Sequence, residues 1–127
     1  KSTVATSLSV LFAMAGDTDH ITPWKNCYES TMFFGGKCEF VLSNSGHIQA
    51  MINPPGSKKS IYFTNPARVA NPEDWLAGAT ANHGSWWDRW IVWLSERAGD
   101  MRDAPATLGN DQFKPMGAAP GTYVLEP

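Results

Sequence analysis

An α/β domain with parallel strands and a crossover helix is the fold class this sequence predicts, on three observations. An apolar run from Val4 to Ala15 stops at Gly16, and a second run, Glu39-Phe40-Val41-Leu42, stops at Ser43-Asn44-Ser45-Gly46. Between them lies a segment with helix signals. Strand, helix, strand at that spacing reads as a right-handed βαβ crossover, which makes the two strands parallel neighbours in one sheet. The loops after the two strands then open at the same edge, where open α/β sheets place their sites.

Each element has its own justification. Thr6, Ser7 and Ser9 interrupt the first run, but Leu8, Val10 and Leu11-Phe12-Ala13-Met14-Ala15 keep the character of a buried strand. The helix signals are Thr22 as N-cap, Pro23 at the first helical position, the apolar residues Trp24, Tyr28 and Met32-Phe33-Phe34, and a stop at Gly35-Gly36. From Asn53-Pro54-Pro55-Gly56 to Pro72 the prolines spell a long irregular connection, with Ile61-Tyr62-Phe63 a short strand inside it. Loops this long in compact domains are usually functional or cover something. Asn71 caps a short helix with Pro72 at its first position and Glu73 and Asp74 in its first turn; Trp75-Leu76-Ala77-Gly78-Ala79 is its buried part.

Ser85-Trp86-Trp87-Asp88 has capping-box spacing and opens the clearest helix, which ends near Gly99. Trp87, Trp90, Ile91 and Leu94 share one stripe of it, flanked by Trp86 and Trp93. Such a stripe is more often core than an interaction surface. Residues 100–127 lack periodicity and read as an extended tail that needs a partner surface to be ordered.

The chain's 127 residues, 43% hydrophobic and 17% charged, are one globular domain's worth. Two parallel strands alone leave unpaired edges and uncovered faces. With a first residue that is Lys1, this favours a carboxyl-terminal piece of a longer protein, whose remaining strands would cover the sheet. A net charge of −2 argues against nucleic-acid binding, which wants clustered basic residues. Lys58-Lys59 is the only basic doublet and reads as a solvated loop. No stretch approaches the roughly 18 apolar residues of a membrane span, and no cleavable leader is visible, so the expectation is a soluble protein.

Cys27 and Cys38 are too few for a disulfide scaffold and match no zinc spacing, so no metal site is expected and reduced, cytoplasmic thiols are the default. The candidate chemistry is an Asp-His pair. Asp19 and His47 each follow an apolar run, and a carboxylate at the same sheet edge can fix the imidazole tautomer and stabilise the imidazolium formed when His47 takes a proton. The plainer alternative is that Asp19 ends a strand and His47 fills a turn. Asp17 competes for the orienting role but sits closer to the strand end. His20 reads as a wall of the site or a surface histidine, and His83, which precedes a helix cap, as structural. No nucleophile matches the pair: a thiol serving it belongs on a G-x-[SC]-x-G elbow, whereas Cys27 lies mid-helix and Cys38 opens a strand.

Taken in order, Asp19-His20-Ile21, Ser45-Gly46-His47-Ile48, Asn53-Pro54-Pro55, Trp75-Leu76-Ala77-Gly78-Ala79 and Gly84-Ser85-Trp86-Trp87 resemble the carboxyl-terminal part of a polyhydroxyalkanoate (poly(3-hydroxybutyrate)) synthase, over roughly residues 8 to 124. Asp-His-Ile occurs in many α/β-hydrolases; the series that follows it is the specific part. Ala119-Pro120-Gly121-Thr122-Tyr123-Val124 looks most like the single-subunit, class I type.

The resemblance implies the carboxyl-terminal portion of an α/β-hydrolase fold and transfer of 3-hydroxyacyl groups from coenzyme A thioesters onto a growing polyester. It implies a Cys-His-Asp triad in which Asp19 and His47 match the aspartate and histidine, the cysteine lying upstream of Lys1. His20 and Ile48, beside the pair, are expected to contact substrate. No cofactor is implied, since coenzyme A is the substrate's leaving group. Implied partners are the 3-hydroxyacyl-coenzyme A substrate, the growing polyester and its cytoplasmic granule surface, the remainder of the catalytic domain, and a second copy of the full-length enzyme. Gln49-Ala50-Met51 stands where members usually show small Ala-Gly-Val residues, and Asp88 where proline is frequent. Two other readings stay open: a different α/β-hydrolase, such as an esterase or polyester depolymerase, and a non-catalytic module whose tryptophan helix and tail bind a granule or partner.

Overall fold

Two apolar strands pair in parallel at one side of the sheet. The computed structural model describes residues 10–126. β1 (Leu11–Gly16) lies beside β2 (Cys38–Ser43), with Leu11 opposite Cys38 and Gly16 opposite Ser43. The part of the first apolar run up to residue 9 lies outside the described residues. The connection between the strands carries α1 (Trp24–Thr31). The expected βαβ arrangement of parallel neighbours is therefore present, and both strands end at the same edge.

The sheet has two further strands. β3 (Ile61–Thr64) pairs antiparallel with β2, and β4 (Thr80–His83) antiparallel with β3, giving the order β1-β2-β3-β4. β3 was expected from its Ile-Tyr-Phe run. β4 was not, because Thr-Ala-Asn-His has no apolar alternation; its backbone is recruited by the free edge of β3. His83, expected only to precede a cap, is the last residue of that strand.

Parallel register and side-chain alternation divide the sheet into two faces. Ala15, Phe40 and Leu42 face Trp24 and Tyr28 of α1 and Trp75 of α3 (Pro72–Ala77). Tyr28, Phe40 and Trp75 have ring centroids 5.1–5.3 Å apart, two of the three contacts edge-to-face, as ring quadrupoles prefer. The Tyr28 hydroxyl donates to the Val69 carbonyl at 2.6 Å, so the ring is buried without stranding its polar tip.

On the other face Phe12 stacks on Trp86 and meets Trp93 edge-on, both from α4 (Trp86–Ser95), while Arg89 forms a two-pronged ion pair with Glu39. Both faces of the sheet thus carry packed side chains, while the outer edge of β1 has no strand partner among the described residues. The predicted stripe is corrected. Trp86 and Trp93 point inward, whereas Ile91 and Leu94 are exposed. The reason is rotational: with Arg89 turned toward Glu39, residues 86, 89 and 93 form the inner side.

Helix ends also differ from expectation. Pro23 occupies the N-cap position of α1 because the Thr22 hydroxyl is spent on Asp19. α1 stops at Thr31, where tighter i to i−3 turn bonds take over at Met32, Phe33 and Phe34. The Arg68 guanidinium then satisfies the carbonyls of Thr31 and Phe34, at 3.0 and 2.8 Å. α3 starts as expected, with Asn71 accepting from Glu73 and Asp74, but of its expected buried stretch only Trp75 is fully enclosed. α4 ends at Ser95, four residues short of Gly99. Beyond it the chain is exposed and irregular apart from one 3₁₀ turn, Tyr123–Leu125.

Candidate active site

The β2 end runs through Ser45-Gly46 into a single helical turn that the sequence did not announce, α2 (His47–Met51). Gly46 offers no side-chain cap and the element is only five residues long. His47 is its first residue.

The turn comes close to β1 because residue 16 has no side chain. A Cβ there would lie inside contact distance of the Ser45 carbonyl and 3.0 Å from the Ala50 methyl. The backbone bonds Asp17 N–H to Ser43 O (2.8 Å) and Thr18 N–H to Ser45 O (3.4 Å) tie the two strand ends together.

Asp19 and His47 meet at this edge. His47 Nδ1 lies 2.7 Å from Asp19 Oδ2. Asp19 also accepts from the backbone N–H of Ile21 (2.8 Å) and Thr22 (3.0 Å) on Oδ1 and from the Thr22 hydroxyl (2.6 Å) on Oδ2. Its side chain is 5% exposed and that of His47 is 38% exposed. Burial pushes the Asp19 carboxyl up, but the bonds from the Thr22 side chain and backbone, His47 and the Ile21 backbone outweigh it and hold Asp19 well below the usual carboxylate range. An ionised, saturated carboxylate behind Nδ1 selects the tautomer with its proton there, leaving Nε2 as the basic nitrogen.

The other candidates lie outside this bond network. Asp17 is exposed, and the orienting contact belongs to Asp19. His20 is exposed beside the pair, and Ile48 follows His47 on α2, 66% exposed. The Cys27 thiol faces the Thr22 carbonyl at 3.7 Å; burial and the charge of Asp19 both push it up. Burial likewise pushes up Cys38. Neither thiol bonds His47 among the described residues, and neither is in the thiolate-favouring surroundings a nucleophile needs. Thr22, read as a helix cap, and Ser85-Trp86-Trp87, which bonds α2, are parts of the site that sequence reasoning missed.

Among the described residues no cluster of three or more His, Cys, Asp or Glu gathers to hold a metal, and no helix is long and apolar enough to cross a membrane. A cleft of about 710 Å³ lies at the opposite end of β1 and β2, lined by Lys37, Glu39, Thr64, Arg89, Trp93 and Arg97 among others; neither Asp19 nor His47 borders it.

No protein-family model matches the chain. Known proteins do. Poly(3-hydroxyalkanoate) polymerase 1 of Ectopseudomonas oleovorans is 51% identical over 116 residues, which is 91% of this chain and 21% of that protein. Poly(3-hydroxyalkanoate) polymerase 2 of the same organism is 48% identical over 90% of the chain and 20% of its own length. The poly(3-hydroxyalkanoate) polymerase subunit PhaC of Cupriavidus necator is 48% identical over 84% of the chain and 18% of its own length. The chain thus spans about one-fifth of the length of these relatives. Over most of its length it is similar to a segment of poly(3-hydroxyalkanoate) polymerases.

Proposed function

We propose that this chain carries the Asp-His half of the active site of an acyltransferase that polymerises 3-hydroxyacyl-coenzyme A into polyhydroxyalkanoate, within an α/β-hydrolase domain completed by the rest of the protein. The observation that carries the reading is the 2.7 Å bond from His47 Nδ1 to a buried Asp19 carboxylate at the shared end of two parallel strands, in a chain similar to polymerases of this kind.

In the mechanism this supports, His47 Nε2 takes the proton of a cysteine supplied from outside this chain. The thiolate attacks the acyl thioester carbonyl, the carbon–sulfur bond to coenzyme A breaks, and the imidazolium returns its proton to the departing thiolate. In elongation the 3-hydroxyl of one acyl unit attacks a second thioester and needs a base. Asp19 already accepts four hydrogen bonds and is held ionised, so it is a poor base; this favours His47 as the group that activates the hydroxyl and Asp19 as the group that orients it. His20 and Ile48, exposed next to the pair, are the residues proposed to contact the acyl group. The polyester granule surface and a second copy of the full-length enzyme are proposed partners, and no cofactor is required beyond the coenzyme A leaving group.

The test is His47→Ala in the full-length protein, with coenzyme A release from 3-hydroxybutyryl-coenzyme A as readout. Turnover should fall by about four decades or more, the scale seen when a triad base is removed. Retention of a tenth of the activity would remove His47 from the mechanism. Ester hydrolysis by the parent protein without coenzyme A release would replace the transferase by a hydrolase.

A further inference from the structure

We propose that Ser85, Trp86 and Trp87 are positioning residues that clamp the end of α2 and thereby fix His47 against Asp19; this rests on the reading of His47 as the base. α2 is a single turn, too short to hold its own shape, and its last carbonyls have no partner within it. Consecutive residues at the start of α4 supply three donors: two take the last carbonyls of α2, and the third holds Asn53, two residues past its end. The Trp86 indole N–H donates to Ala50 O at 2.6 Å, the Trp87 indole N–H to Met51 O at 2.8 Å, and the Ser85 hydroxyl to Asn53 O.

Apolar burial alone does not require this arrangement. Trp86 stacks on Phe12 and a phenyl ring would fill much of that space, while Trp87 is only partly buried; in both the indole supplies a donor aimed at one carbonyl. Gly84, at φ +111°, gives the backbone the turn that brings three donors to one helix end. The short turn is therefore held at its first residue by Asp19 and at its last by the clamp, so a shift at Ala50 or Met51 is passed to the imidazole within one turn.

The experiment uses Trp86→Phe and Trp87→Phe in the full-length protein, each removing the N–H and keeping a ring. The clamp predicts that kcat for coenzyme A release falls about ten- to a hundred-fold with KM unchanged, as for a small misplacement of a reacting group. It also predicts a shifted or broadened far-downfield proton resonance of the His47–Asp19 bond. In an Asp19→Asn background the same substitutions should cost little more, because there is no pair left to align. Unchanged kcat and resonance in both variants, or losses that add in full to that of Asp19→Asn, would overturn the clamp. So would a loss of kcat that only tracks a lowered melting temperature. Should Trp86→Phe fold poorly, the more exposed Trp87→Phe decides. Full activity in both Phe variants beside an inactive His47→Ala would sink the clamp alone, whereas an active His47→Ala would sink the base reading beneath it.

Discussion

At the scale of single residues, the controlling group is Asp19. Its carboxyl is held below the ordinary range in the folded protein, so the stability it contributes is present above the unfolded-state value of about 4 and is lost as pH falls from there toward the folded-state value. Asp19→Asn removes that titration. Its unfolding free energy in the full-length protein should be less pH-dependent below about pH 4 than that of the parent, measured by denaturant unfolding across the acid range. Parallel acid curves for the two proteins would show that the bonds to Asp19 do not depress it. The meeting of Asp19 and His47 was legible in the sequence because each follows an apolar run, and parallel pairing brings both run ends to one edge. The role of Thr22 was not. A threonine two residues before Trp24 looks the same whether its hydroxyl caps a helix or bonds a carboxylate, and only the fold of the loop places it 2.6 Å from Asp19.

At the scale of elements, the site depends on how closely α2 approaches the end of β1. Gly16 is the contact point, and the group a new methyl would strike first is the Ser45 backbone carbonyl, which cannot swing away as a side chain can. Gly16→Ala should therefore cost about 1–3 kcal/mol of stability, the usual range for overpacking a tight contact, and lower coenzyme A release by about ten-fold or more by displacing His47. Wild-type melting and turnover would mean that the Ser45 to His47 loop relaxes freely. Elements with period and caps, such as β2, α3 and α4, could be read because apolar spacing and Asn71 or Ser85 mark them. β4 and α2 could not. Thr80–His83 is a strand through its partner's edge, and α2 is a single turn without a side-chain cap whose last carbonyls are met by α4, so neither leaves a local pattern. The inner side of α4 was misassigned for a related reason: the Arg89–Glu39 pair, invisible in a hydrophobic stripe, turns the helix.

At the scale of the whole molecule, neither cysteine bonds the Asp19–His47 pair among the described residues. Cys27 is pushed up by burial and by the same carboxylate that orients His47, and Cys38 opens β2 at the end away from the site. A thiol raised in this way is mostly protonated at neutral pH and a weak nucleophile, whatever its distance from the imidazole. β1 is an edge strand among the described residues, and an unpaired parallel edge is a docking line for further strands. The chain spans about a fifth of the polymerases it resembles, and the proposed function takes its cysteine from outside this chain. The purified 127-residue chain should therefore release no coenzyme A from 3-hydroxybutyryl-coenzyme A, while the full-length protein does, with intact mass measured on the same samples. Release by the 13.9 kDa species alone would place the nucleophile within this chain and make Cys27→Ala and Cys38→Ala the next variants to assay.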